Sequence, residues 1–128
     1  MPDPADYLAE VELALVSSPT IAEYRTVRAW ANTDDGYLRI RATLTNGDFL
    51  EAAEYFVLEN NQIVTVDYRH HWTDHAKQTL RRRWDNTPDH PELDNFPHHV
   101  HIGSKEVSVA GEPCSIIDLL RLLESEIS

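Results

Sequence analysis

Alternation of apolar and polar residues dominates the middle of the chain. Over Tyr37–Thr45, Leu38, Ile40, Ala42 and Leu44 fall on one side and Tyr37, Arg39, Arg41 and Thr43 on the other. That is the two-residue period of a half-buried strand. Ile63–Thr73 alternates in the same way, with Val64, Val66, Tyr68, His70 and Trp72 opposed to Thr65, Asp67, Arg69 and His71. Glu23–Trp30, Phe49–Leu58, Thr79–Asn86 and His98–Gly103 read as further strands. In Thr79–Asn86, Leu80, Arg82 and Trp84 oppose Arg81, Arg83 and Asp85. Asn32–Gly36, Asn46-Gly47 and Asn60-Asn61 are turn signals, and residues 74–78 are a polar loop. Pro88, Pro91 and Pro97 make residues 87–97 a loop whose fixed φ angles suit it to hold side chains in place.

The period changes to that of a helix at both ends. Residues 4–17 carry Leu8, Val11 and Leu15 on one face, with Asp3 as N-cap, Pro4 at N1 and Asp6 in the first turn, before Ser17-Ser18-Pro19 stops the helix. Pro113–Ile127 carries Ile116, Leu119, Leu120, Leu123 and Ile127 in one stripe, widened by Ile117 and Leu122. Sequential hairpins between two helices predict an α+β fold: an antiparallel sheet of five to six strands, with the N-terminal and C-terminal helices packed on its apolar face. The opposite face then carries Arg39, Arg41, Asp67, Arg69, His71, Arg81, Arg83 and Asp85, and a single bulge in any strand reverses that assignment beyond it.

A length of 128 residues, 41% of them hydrophobic and 26% charged, predicts one globular domain spanning 1–128. No run approaches the ~18 apolar residues of a transmembrane helix. The acidic start, MPDPADYLAE, lacks the basic segment of a secretory signal, and the single Cys114 forms no internal disulfide. A cytoplasmic protein is the expectation.

The net charge of −11 is unevenly spread. Residues 1–62 carry 4 basic and 11 acidic side chains, residues 63–101 carry 5 and 6, and residues 102–128 carry 2 and 5. Bulk charge therefore opposes non-specific nucleic-acid binding, while the near-neutral middle leaves room for a local basic site.

That middle concentrates the chemistry. All seven histidines, at 70, 71, 75, 90, 98, 99 and 101, fall between Tyr68 and Gly103, with Trp72, Trp84 and five of the eleven basic residues. One reading is a metal-independent ribonuclease, in which the RNA's own 2′-OH attacks its phosphate. Histidine suits acid and base because it titrates near neutrality, and the arginine fork suits the phosphate. His99 and His101, two apart on a strand, share a face and lead the acid/base candidates, with His71 and His90 behind them. Arg69, Arg81 and Arg83 are the phosphate-binding candidates, and Asp85 the group that orients a histidine or arginine; Trp84 or Phe96 could stack a base.

A second reading is a metal-dependent nuclease or hydrolase with His99 and His101 as ligands and Asp85, Asp89 or His90 as a third; the first reading needs no cofactor. A third is a non-catalytic interaction protein, which the acidic balance favours. Structural roles stand beside each: tryptophans as core, histidines as loop supports, Cys114 as a small buried residue rather than a reactive thiol, at least one arginine of 81–83 as an ion-pair partner, and Asp85-Asn86 as shapers of the following turn.

The runs Tyr68-Arg69-His70-His71-Trp72, Arg83-Trp84-Asp85-Asn86-Thr87-Pro88, His90-Pro91-Glu92 and Phe96-Pro97-His98-His99-Val100-His101 resemble the TumE-like proteins, toxin components of prokaryotic toxin–antitoxin pairs. The resemblance implies a cytosolic protein with a cognate antitoxin as partner and RNA as target, no membrane association, and an oligomeric state left open. The family pattern has two histidines before the proline where this chain has Asp89-His90, and often a lysine where it has Val100.

Overall fold

The structure, a computed structural model, describes residues 3–86, 98–103, 107–110 and 114–127, with His99 and 107–110 as backbone only. Helix α1 (Pro4–Ser17) is followed by strands β1 (Ile21–Ala31), β2 (Asp35–Leu44), β3 (Phe49–Glu59), β4 (Gln62–Thr73), β5 (Leu80–Asp85), β6 (His99–Ile102) and β7 (Val107–Ala110), and helix α2 (Ile116–Ile127) closes the order. All seven strands form one antiparallel sheet in sequence order. The α+β reading holds, with the six strands read from the sequence joined by β7.

Local chemistry sets the boundaries. Asp3 caps α1 by accepting from the Asp6 backbone at 2.8 Å, and Asp6 reaches back to the Asp3 N–H to complete a capping box. The β3–β4 hairpin turns on Asn60 and Asn61 alone, both with positive φ (51° and 63°), the geometry of a tight primed turn that asparagine tolerates. Gly36 faces Phe56 across β2 and β3, and a Cβ there would lie 2.5 Å from the Phe56 ring, so only glycine fits.

Both helices cover one face. The core joins Tyr7, Val11 and Leu15 of α1, Leu38, Ile40, Ala42 and Leu44 of β2, Leu50, Ala52 and Phe56 of β3, and Ile116, Leu119, Leu120 and Leu123 of α2. Trp72 and Trp84, neighbours on β4 and β5, stack nearly parallel at 6.4 Å within it. Trp30 departs from the expected core role: it lies half-buried on the opposite face against Tyr37, at 6.1 Å. Leu122, expected to widen the apolar stripe of α2, is exposed.

The alternation read along β4 breaks at a bulge. Tyr55 pairs with Asp67 but Phe56 pairs with Thr65, so Val66 is an extra residue. Thr65 turns toward the helices and Val64 and Val66 are exposed, contrary to the apolar side expected for both valines, while Tyr68, His70 and Trp72 keep it. Asn86 clamps this bulge: its Oδ1 accepts from the Tyr68 N–H at 3.2 Å and its Nδ2 donates to the Val66 carbonyl at 2.7 Å.

One acidic side chain is sealed inside. Glu54 accepts from the Tyr7 hydroxyl (2.8 Å), the Thr65 hydroxyl (2.7 Å) and the Ile116 backbone N–H (2.9 Å). It thus ties β3 to α1, β4 and the first turn of α2. Burial pushes its pKa up, against these three donors, which favour the carboxylate.

Candidate functional site

The sheet face away from the helices carries the polar chemistry, and strand register orders it into rows. Directly opposed residues share a face in an antiparallel pair. One row runs Arg25, Arg41, Glu51, His71, Arg83, His101 and Ser108 from β1 to β7. The next runs Arg28, Arg39, Ala53, Arg69, Asp85, His99 and Ala110. His71 and His101 therefore flank Arg83, two strands or roughly 10 Å apart. Arg69 and Asp85 lie one step along their strands, and the His99 backbone pairs with Asp85.

Each of these side chains has a local reason for its position. Asp85 is almost wholly buried and accepts from Arg83 Nε at 3.1 Å, which aims the guanidinium along the face. Glu51 accepts from Arg39 Nε at 2.7 Å and stands 3.5 Å from Arg41 Nε, so one carboxylate positions two guanidinium groups. Arg69 is exposed and makes no ion pair among the described residues.

Ala53, flanked by Arg39 and Arg69, leaves space. A depression of about 380 Å³ opens above it, lined by Tyr37, Arg39, Glu51, Ala53, Arg69 and His71. A second hollow of about 350 Å³ adjoins it, lined by Tyr55, Asp67 and Asn86 and again by Tyr37, Ala53 and Arg69. The Ala52-Ala53 pair is visible in the sequence of β3, but the place of Ala53 between two arginines is set by cross-strand register.

The adjacent histidines 70 and 71 have opposite surroundings. His70 is completely buried on the helix side and donates from Nε2 to the Cys114 carbonyl at 2.8 Å. Burial pushes its pKa down to about 4, which removes it from chemistry at neutral pH. His71 lines the open depression. Partial burial, then the nearby Arg83 and Arg69, hold its pKa below the usual imidazole value, against the opposing pull of Glu51.

The remaining sequence candidates divide. Arg81 turns to Asp48, donating from Nε at 3.1 Å beside the Trp72 Nε1 bond to the same carboxylate at 2.9 Å, and does not join the row of His71. Arg82 pairs with Glu126 of α2. His98, which was not among the candidates, bonds through Nδ1 to the Tyr68 hydroxyl at 2.8 Å and stacks on that ring. His90, Asp89 and Phe96 lie outside the described residues, as does the side chain of His99. Cys114 is buried, and its thiol is pushed up to about 12, so the small-core reading applies. Among the described residues no three His, Cys, Asp or Glu side chains converge as metal ligands.

A model of the toxin TumE family matches residues 10–128, nearly the whole chain. The chain belongs to that family. Membership implies the toxin role in a toxin–antitoxin module and an antitoxin as partner. No curated protein and no solved structure matches this TumE-family chain. No described helix is long and apolar enough to cross a membrane. The motif runs that carried the resemblance acquire physical roles: Trp84 stacks in the core, Asp85 holds Arg83, Asn86 clamps the β4 bulge, and Arg69 and His71 line the open face.

Proposed function

We propose that this toxin cleaves RNA on the open face of its sheet without an obligatory metal. The observation that carries the reading is the His71–Arg83–His101 row, with Arg69 beside it. His71, held largely neutral, accepts the proton of the 2′-OH as its oxygen attacks phosphorus. His101 delivers a proton to the departing 5′ oxygen, and the cyclic phosphate remains on the upstream fragment. Arg83, aimed by Asp85, and Arg69 take the phosphorane charge. His99 is a second acid candidate in the adjoining row, where its backbone pairs with Asp85, and His90 remains a candidate from the sequence; Arg81 has a lesser part because Asp48 holds it. The domain acts as one unit of 128 residues in the cytoplasm.

Induced expression of the chain alone, with growth and total RNA followed, tests this. Growth arrest with RNA fragmentation is expected, and purified His71→Ala or His101→Ala protein should lose roughly 10²- to 10⁴-fold in cleavage while remaining folded. Undiminished cleavage by the folded double variant sinks the assignment. Intact RNA with arrested growth moves the toxin to a binding mechanism.

The pH profile gives a second test. A base must be neutral, so a lowered His71 pKa carries activity to lower pH than free imidazole allows, about 6.5. Arg69→Ala removes one of the charges that lower it, and the acidic limb of the rate profile should then move to higher pH. An unmoved limb assigns the base elsewhere.

A further inference from the structure

The basic character of the open face does not stop at the row just described. Six of the nine arginines, Arg25, Arg28, Arg39, Arg41, Arg69 and Arg83, lie on it. This stands out in a chain of net charge −11. On β1 and β2 they oppose one another directly: Arg25 faces Arg41, and Arg28 faces Arg39. Like charges placed directly across a strand pair destabilise it. Glu51 offsets the β2 members, but Arg25 and Arg28 make no ion pair among the described residues.

Next to the Arg25–Arg41 pair is a hollow of about 290 Å³, lined by Glu23, Arg25, Arg41, Thr43, Phe49 and Lys77 among others. Lys77 reaches it from the β4–β5 loop, where a left-handed φ of 61° turns the chain and its ammonium lies 4.2 Å over the Phe49 ring. The Nε of Arg41 is buried and makes no hydrogen bond among the described residues, its carboxylate neighbour being 3.5 Å away. One strand pair and a loop thus bring three cations to one concave spot, at the cost of a like-charge pair.

We infer that this hollow is a second phosphate-binding subsite, which holds a backbone phosphate of the same single-stranded RNA whose scissile phosphate lies at Arg83 and Arg69. The inference rests on the ribonucleolytic reading of the central row. The strand crosses the sheet from β6 toward β1, passes the Ala53 depression, and places a phosphate among Arg25, Arg41 and Lys77. The central site sets where the bond breaks; the β1–β2 hollow selects chains long enough to reach it.

The test uses 2′-O-methyl oligonucleotides, which have no free 2′-OH and cannot be cut. One is a dinucleotide and the other about twelve nucleotides long, more than the roughly 24 Å from β1 to β6. Arg25→Gln with Lys77→Gln should weaken binding of the long probe about tenfold and reduce its log–log salt slope by about 1.4, the release from two single-strand contacts. Dinucleotide binding should be unchanged. Equal loss for both probes, or no loss for either, overturns the subsite. Intact RNA binding with lost capture of the purified antitoxin also overturns it, and assigns the hollow to an acidic segment of that partner. Pocket-dependent binding of the long probe by a wild-type chain that cuts no RNA leaves the subsite standing and removes the ribonuclease. Cleavage of long RNA at unchanged rate and affinity in the double variant does the reverse.

Discussion

His70 and His71 show how much a single step along a strand decides. His70 has a folded pKa of about 4, below the ordinary value of 6.5, because burial penalises its charged form. A depressed histidine adds stability above its unfolded pKa and loses it as pH falls toward the folded value. Between pH 6.5 and about 4 the unfolded chain takes up a proton that the folded chain refuses. The loss from this one group is on the order of 3 kcal/mol. Urea unfolding at pH 7 and pH 5 should show the fall, and His70→Asn should flatten it; an equal slope in that variant places the acid sensitivity elsewhere. Gly36 makes a second demand of this kind. Gly36→Ala should destabilise by about 1–3 kcal/mol as Phe56 is forced aside, and Phe56→Leu in the same chain should recover part of it in thermal unfolding.

At the scale of elements, the hold of the C-terminal helix runs through one buried carboxylate. Glu54 supplies the acceptor for the first N–H of α2 as well as for hydroxyls on α1 and β4. Glu54→Ala leaves three donors without their acceptor inside the core and should cost on the order of 3 kcal/mol. Glu54→Gln keeps one acceptor oxygen and should cost less, and hydrogen exchange should show α2 loosened first in the alanine variant. Equal exchange across the chain in that variant would argue that the helix is held by its leucines alone.

Those contacts also mark what sequence reading reaches. Alternation along β2 and the leucine stripe of α2 follow from period alone, since each face meets a single environment. The hairpin at Asn60-Asn61 follows from side chains that tolerate positive φ. The Val66 bulge does not, because its cause, Asn86, lies twenty residues on and acts through space. Arg81 looked equal to Arg83 until Asp48 and Trp72 drew it aside. Trp30 looked like core because composition does not say which side of an edge strand is covered. Of the residues singled out from the sequence, Arg69, His71, Arg83, Asp85 and His101 fall in two adjacent rows, Arg81 leaves them, and the side chains of His90 and His99 lie outside the described residues; the extension over Ala53 to Arg25 needed the register of four strand pairs.

For the whole molecule, sequence order and spatial order coincide: each strand pairs with the one before it, from β1 through β7. Such a meander is dominated by neighbouring hairpins and assembles without long loop closures. During synthesis, which delivers a chain from its N-terminus, β1 to β4 can pair as they emerge. The proposed chemistry cannot, because Arg83 and His101 stand on β5 and β6, and the helix that Glu54 anchors follows later still. A ribosome making this toxin thus carries a half-built sheet that already displays its arginines but holds no complete pair of histidines around Arg83. The proposed site is finished only when β6 has left the tunnel, which gives an antitoxin the time taken to translate six strands to be present first.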